Sequence, residues 1–118
     1  MQSVQDNAAS GNRREREVRA DLQAQYPNGS VQDQQYLRDK NGNIAIDPNT
    51  GTARRLDHVV IVNGQVVDNV ETTSLTADKD RQITHERDVR KTGGVYVRDR
   101  TTGELVEVPS VSRIQRKP

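Results

Sequence analysis

Two acidic residues stand at matching places in two valine-rich segments of the chain. Asp57 lies at the start of the first segment and Glu71 at the end of the second, and the segments are joined by Asn63-Gly64. Asn-Gly is a preferred two-residue loop of a β-hairpin. The start of one strand then meets the end of its partner, so we expect both carboxylates at one end of a sheet. Paired carboxylate oxygens suit hard divalent ions such as Mg²⁺ or Mn²⁺.

The composition limits the classes to which the protein can belong. The chain has 118 residues, of which 31% are hydrophobic, 3% aromatic and 30% charged, so we expect one domain with a small core and a charged surface. Cysteine is absent, which excludes disulfides, zinc–thiolate sites and a thiol nucleophile. No apolar stretch reaches the roughly 18 residues of a membrane span, and no signal-peptide core is visible.

The charge is distributed unevenly along the chain. The net charge is +1, which by itself does not indicate nucleic-acid binding. Residues 81–118, however, carry nine Lys/Arg against five Asp/Glu. This basic C-terminal third is the kind of surface that follows a phosphate backbone, although a solvated basic tail would have the same composition.

The remaining pattern predicts two helices and three further strands around this hairpin. Apolar positions at helical spacing and the stop at Pro27-Asn28-Gly29 indicate a first helix beginning near residue 11. A strand, the Asn63-Gly64 hairpin, a second helix over about residues 76–92 and a second hairpin follow. The predicted order is α-β-β-β-α-β-β. We expect a flexible lead-in over residues 1–10 and one domain over 11–118.

The acidic residues, set in this order of elements, resemble those of a known family. Glu15 in the first helix, Asp57 and Glu71 in the hairpin, and Lys79 and Gln82 in the next helix resemble the PD-(D/E)XK nuclease superfamily. The resemblance covers roughly three quarters of the chain. It implies an α/β fold with a restriction-endonuclease-like core, a mixed β-sheet flanked by helices in the order α-β-β-β-α-β, here followed by a C-terminal strand.

The resemblance implies a metal-dependent endonuclease and assigns roles to these residues. Glu15, Asp57 and Glu71 would hold the metal, with Mg²⁺ the first candidate and Mn²⁺ or Zn²⁺ as alternatives. The backbone carbonyl of Thr72 is a further candidate ligand. The family pattern places a lysine where this sequence has Thr73, which can orient water but supplies no positive charge.

The resemblance also indicates what replaces that lysine, and the substrate contacts are expected nearby. Lys79, in the second helix, would supply the missing charge, and Gln82 would lie beside it. His85, Arg98 and Arg100 are the candidate substrate-binding residues. Thr73, Lys79 and Gln82 therefore join the three carboxylates as candidate catalytic residues.

A second resemblance concerns the biological setting. The segments "ETTS", "KDRQ" and "GGVYVRD", with the basic end, resemble the C-terminal toxin domains of contact-dependent growth inhibition and related polymorphic bacterial toxins. This implies secretion or cell-surface delivery as part of a larger toxin, action in the target-cell cytoplasm, and a cognate immunity protein. The substrate would be nucleic acid, with tRNA favoured over DNA. Only three tyrosines are available for base stacking.

Two alternatives remain open at the level of sequence. The chain could be a non-catalytic, β-rich protein-interaction module, which does not require the carboxylates to converge. It could also be a metal-free ribonuclease that uses His85, with His58 as a second general acid or base. His58 directly follows Asp57, so its side chain is expected on the opposite face of the strand.

Overall fold

The computed structural model describes the chain from residue 4 to residue 118, with side chains described from residue 9 onward. Helix α1 spans Val4–Gln25 and helix α2 spans Asp80–Lys91. The strands are β1 (Ser30–Tyr36), β2 (Arg55–Val62), β3 (Gln65–Thr73), β4 (Tyr96–Arg98), β5 (Leu105–Glu107) and β6 (Arg113–Arg116).

The main sheet is mixed and has the strand order β1-β2-β3-β6. β1, β2 and β3 form an antiparallel meander, and β6 lies parallel to β3. The predicted hairpin is confirmed: Asn63 and Gly64 have φ values of 51° and 76°, the positive pair that a tight type I′ loop requires. A register shift between Val60 and Ile61 increases the local twist of the hairpin.

Each face of the main sheet carries its own hydrophobic cluster. On one face, Val18 and Leu22 of α1 pack against Val60 and Val70. The larger cluster on the other face joins the sheet to α2 and the β4–β5 hairpin, and its buried members include Val59, Val89, Val97 and Val106. β2 is central and buried over most of its length, as predicted from its continuous apolar run. The protein is therefore a compact α/β domain with two helices on a mixed sheet.

Both helices begin at different residues from those predicted. α1 starts at Val4, so residues 4–10 of the predicted lead-in are helical, while residues 1–3 lie outside the described part of the chain. Residues 4–10 contain neither glycine nor proline, so nothing in them stops the helix from extending. α2 starts only at Asp80, which leaves Lys79 as its N-terminal flanking residue.

The C-terminal third differs from the sequence prediction in its pairing. The second predicted hairpin forms, but β4 and β5 make a separate two-stranded sheet. The fourth strand of the main sheet is instead β6, formed by residues predicted as a basic end. Composition did not reveal this strand because its pairing with the open edge of β3 is a non-local contact. No helix within residues 4–118 is long and apolar enough to cross a membrane, as the sequence predicted.

Candidate active site

Asp57 lies where β2 and β3 separate. The ladder between the two strands ends at the pair His58↔Val70. Beyond it, the backbone N–H of Thr72 donates to Oδ2 of Asp57 at 2.9 Å. A side chain of β2 therefore takes the place of a backbone carbonyl at this end of the hairpin. In an extended strand the N–H and C=O of one residue point to the same side, so we expect the Thr72 carbonyl to face Asp57 as well.

Glu71 is buried beside Asp57 and is held by two cations. Its side chain is 5% exposed. Oε2 accepts a hydrogen bond from Nη2 of Arg54 at 3.0 Å, and Nζ of Lys79 lies 3.4 Å from Oε1. The Lys79 ammonium therefore lies beside Glu71, while its catalytic role stays a prediction. Lys79 is fixed by its own backbone, because its carbonyl accepts the N–H of Ile83 in the first turn of α2.

A second buried carboxylate continues this cluster behind Glu71. Nε of Arg54 donates to Oε1 of Glu86 at 3.2 Å, and Glu86 is fully buried. Glu86 also accepts the backbone N–H and the hydroxyl of Ser112, both at 2.7 Å. A buried carboxylate that accepts several hydrogen bonds is stable only because its partners replace water. The network fixes the Arg54 guanidinium, which in turn orients Glu71.

The cluster carries more negative than positive charge. Asp57, Glu71 and Glu86 stand against Arg54 and Lys79, three carboxylates against two cations, which leaves a net charge of −1 when all are ionised. Burial raises the pKa of the Glu71 carboxyl above its usual 4.5, and the Asp57 charge raises it further, against the opposing effect of Arg54 and Lys79. Ionised Glu71 would therefore be favoured by an added cation.

The donor set fits a hard divalent ion. Asp57 and Glu71 supply carboxylate oxygens where β2 and β3 separate. Both Glu71 oxygens already contact Arg54 or Lys79, so an ion would share Glu71 with these cations and offset the remaining charge of −1. Mg²⁺ is commonly held by only one or two carboxylates and keeps several waters. Within the described part of the chain, no three acidic or histidine side chains are grouped closely enough to hold a metal ion.

Glu15 does not join the other two carboxylates in this arrangement. It lies on α1, whose residues Val18 and Leu22 pack on the face of the sheet opposite to α2. The Glu15 side chain is half-buried, and it forms no hydrogen bond or ion pair with another described residue. Its role as a third ligand remains a prediction.

Thr73 and Gln82, the other two candidate catalytic residues, differ in exposure. Thr73 is buried, and its carbonyl accepts the N–H of Lys117 at 2.9 Å, which ties it to the C-terminal segment. Gln82 lies in the first turn of α2, where its side chain is exposed and unbonded among the described residues. Gln82 is thus available to a ligand, whereas the Thr73 backbone serves strand pairing.

The two histidines lie on opposite faces of the sheet. His58 is buried, with Nδ1 2.8 Å from Oδ1 of Asp33 and Nε2 3.0 Å from the Thr72 hydroxyl. His85 is on α2, with Nδ1 3.1 Å from Oδ2 of Asp47 and Nε2 3.0 Å from the Ala53 carbonyl. All four ring nitrogens are therefore engaged within the protein. The separation disfavours a mechanism in which both histidines act on one bond.

Arg98 and Arg100 lie on the β4–β5 hairpin and line a cleft beside β1. Both are exposed, and each donates one hydrogen bond to a backbone carbonyl: Arg98 to Gly103 at 2.7 Å and Arg100 to Gln34 at 3.1 Å. Most of their donors remain open to a ligand. Their predicted part in substrate binding is compatible with this exposure.

Sequence reasoning missed Arg54 and Glu86. Arg54 precedes β2 in a run of two arginines, and Glu86 sits in a helix rich in charge, so neither stands out by type or spacing. They are buried because Arg54 contacts Glu71, 17 residues away in the chain, and Glu86, 32 residues away.

Comparison of the chain with protein-family models, curated proteins and solved structures gives no match.

Proposed function

We propose that this chain is a metal-dependent nuclease domain that hydrolyses phosphodiester bonds of nucleic acid, with tRNA favoured over DNA. The observation that carries the proposal is the meeting of Asp57, Glu71 and Lys79 at the open end of β2 and β3. Two carboxylates and one ammonium on neighbouring elements form part of the constellation that the resemblance implies, in which Glu15 would be the third carboxylate. Apart from the separate β4–β5 hairpin between α2 and β6, the element order α1-β1-β2-β3-α2-β6, with β6 parallel to β3, supports a restriction-endonuclease-like core.

Each residue has a role that follows from its surroundings. Asp57 and Glu71 would hold the divalent ion, and the Thr72 N–H keeps one oxygen of Asp57 in place. When bound, the ion supplies Lewis-acid stabilisation of phosphoryl charge and a water of lowered pKa. The Lys79 ammonium provides positive charge near the attacked phosphate and can orient water there. Arg54 prevents Glu71 from rotating, since it is itself fixed by Glu86.

The biological setting is proposed from the resemblance to polymorphic toxins. The domain would be delivered as part of a larger secreted or cell-surface toxin and act in the cytoplasm of the target cell. A cognate immunity protein, expected to be acidic, would cover the metal cleft or the basic residues of the C-terminal third. Complementary charge would speed its association with the toxin.

Cleavage of defined substrates tests the enzymatic proposal. The purified chain is incubated with total tRNA and with plasmid DNA, each with Mg²⁺, Mn²⁺, Zn²⁺ or EDTA. We expect cleavage that requires a divalent ion and is lost in Asp57→Asn. Cleavage that persists in EDTA and is lost in His85→Ala would support the metal-free ribonuclease instead. No cleavage of either substrate with any ion would support the interaction module.

Expression in bacteria tests the toxin proposal. Residues 1–118 are expressed with and without the gene immediately downstream, and again as Asp57→Ala. We expect growth inhibition by the wild-type chain, rescue by the neighbouring gene, and no inhibition by the variant. If the chain cleaves nucleic acid in vitro but its expression does not inhibit growth, the toxin proposal is contradicted and the nuclease proposal stands.

A further inference from the structure

We propose that Tyr36, Arg38, Arg98 and Arg100 form a binding site for one nucleotide of a single-stranded nucleic acid, next to Asp57. The three arginines would hold its phosphate and the tyrosine ring would stack on its base. The inference deepens the proposed nuclease function, on which it rests, by naming the form of substrate that the site accepts.

Two of these arginines converge on one glycine. Nη1 of Arg38 donates to the Gly42 carbonyl at 2.8 Å. Nη2 of Arg98 lies so near Gly42 that a Cβ there would stand 2.5 Å from it. Gly42 also has φ +85°, a backbone conformation that favours glycine over residues with a side chain. Both guanidinium groups therefore lie beside the same residue, and both line one cleft. An anion bound in this cleft would offset the repulsion between their like charges.

No carboxylate in the described part of the chain balances these arginines. Arg38, Arg98 and Arg100 make no ion pair there. Asp99 also lines the cleft, but it is buried and its carboxylate is used by Gln32 and by the N–H of Thr101. Nε of Arg38 is itself buried without a hydrogen-bond partner in the described residues. A buried donor without a partner is rare in native proteins.

The cleft adjoins the candidate active site through β1. Asp33 pairs with His58 and Gln35 pairs with Leu56, so Gln34 lies opposite Asp57. Neighbouring strands are about 4.8 Å apart, so the strand that lines the cleft lies directly beside the strand that carries Asp57. Gln34 has φ +56°, a left-handed conformation that is costly for glutamine. The carbonyl of Gln34 accepts a hydrogen bond from the Arg100 guanidinium. This bond links the cleft to the end of the sheet where Asp57 lies.

Tyr36 supplies the stacking surface. Tyr36 is 37% exposed at the end of β1 and lines the same cleft as the arginines. The volume of this cleft is about 290 Å³. An exposed aromatic ring beside arginines is the usual platform for an unstacked base. A base within a duplex is already stacked and cannot use such a platform. The site therefore favours single-stranded segments, such as the loops of a folded RNA.

Binding without cleavage tests this inference. The affinity of the full chain for a fluorescent ten-nucleotide single-stranded RNA is measured by anisotropy in EDTA, over a range of salt concentrations. We expect Tyr36→Ala to weaken binding about tenfold and Tyr36→Phe to leave it nearly unchanged, because phenylalanine retains the ring. We expect Arg98→Ala and Arg100→Ala each to weaken binding and to lower the salt slope by about 0.7.

Arg16→Ala is the matched control, because Arg16 is an exposed arginine on α1. Arg98→Lys retains the charge, so it should keep the salt slope even if affinity falls. The inference is overturned if Arg16→Ala weakens binding as much as Arg100→Ala, or if a duplex of the same sequence binds as tightly as the single strand. It is also overturned if an acidic phosphopeptide competes better than the RNA.

The assay separates this inference from the nuclease proposal. If the chain cleaves nothing but the Tyr36 and arginine variants lose affinity, the nucleotide site is supported and the nuclease proposal is contradicted. If the chain cleaves nucleic acid but these variants keep their affinity, the nuclease proposal is supported and the nucleotide site is contradicted.

Discussion

The backbone N–H of Thr72 donates to Oδ2 of Asp57 at 2.9 Å, at the point where β2 and β3 separate. The candidate metal ligand therefore also completes the hydrogen bonding of the hairpin. Asparagine at position 57 retains an acceptor oxygen for Thr72 but lacks the negative charge, whereas alanine lacks both. This pair of substitutions separates the catalytic role of Asp57 from its structural one.

We expect Asp57→Asn to lower the cleavage rate by about a hundredfold or more while leaving the melting temperature close to that of the wild type. Asp57→Ala should lose cleavage to the same extent and also lower the free energy of unfolding by about 1 kcal/mol, the cost of one lost hydrogen bond. Nuclease assays and urea unfolding measure both effects. Full cleavage by Asp57→Asn would contradict the assignment of Asp57 as a metal ligand.

Lys79 should contribute to cleavage much more than to folding. Its ammonium lies 3.4 Å from Oε1 of Glu71, yet Glu71 keeps its hydrogen bond to Arg54 when the lysine is removed. We expect Lys79→Ala to reduce cleavage about a hundredfold and to destabilise the fold less than Arg54→Ala does, because Lys79 has one buried acidic partner and Arg54 has two. Lys79→Arg should retain part of the activity. Wild-type activity in Lys79→Ala would transfer the role to another group.

A divalent ion should stabilise the folded chain without any substrate present. Binding to the native state alone adds about 2.7 kcal/mol at a hundredfold excess over Kd. We expect Mg²⁺ or Mn²⁺ to raise the melting temperature by several degrees in the wild type and to have no effect in a double Asp57→Asn, Glu71→Gln variant. The same shift in both proteins would show that the ion binds elsewhere.

Arg54 should be essential to stability, in contrast to its neighbour Arg55. Removing Arg54 leaves Glu71 and Glu86 buried without their shared cation. Breaking a buried ion pair on one side typically costs about 3–5 kcal/mol, so we expect Arg54→Ala to be strongly destabilised. Arg55 is exposed, and Arg55→Ala should change the free energy of unfolding by less than about 0.5 kcal/mol. Similar unfolding curves for both variants would contradict the buried network.

Asp68 should make the fold sensitive to acid. Asp68 lies on β3, and its carboxylate accepts hydrogen bonds from Nε and Nη2 of Arg113 on β6, both at 2.9 Å. It also accepts one from the hydroxyl of Tyr26, just after α1, at 3.2 Å, so it joins three segments of the chain. Burial alone would raise the pKa of the Asp68 carboxyl, but Arg113 holds it below its usual 3.8. The folded state therefore binds this proton less readily than the unfolded state does.

Because the pKa is lowered on folding, the stabilisation by Asp68 is present above pH 3.8 and is lost as the pH falls through the folded pKa. We expect Asp68→Asn to lower the free energy of unfolding by about 1–3 kcal/mol at pH 7. The difference from the wild type should shrink steadily below the usual pKa of the carboxyl. Urea unfolding at pH 7, 5 and 3 measures this, and a difference that is independent of pH would contradict it.

The meander at the centre of the fold follows from local signals in the sequence. Asn63-Gly64 is one of the few dipeptides that adopt positive φ at both positions, and the β-branched runs on either side favour extended backbone. Once this turn forms, the register brings Asp57 and Glu71 to the same end of the sheet. The placement of Asp57 and Glu71 at one end of the sheet was therefore predictable from the turn and from the number of residues that separates each of them from it.

Other features of the candidate site depend on contacts that no local signal encodes. β6 forms because the edge of β3 is open, and Arg54 meets Glu86 across 32 residues. Arg38 and Arg98 reach the same residue, Gly42, because the β4–β5 hairpin lies beside β1. Sequence by itself determined the hairpin and the chemistry that it presents, because turns and strands follow from backbone preferences of adjacent residues. Only the tertiary structure decided which charges are buried, because the cost of desolvating a charge is offset by partners that the folded chain alone brings near.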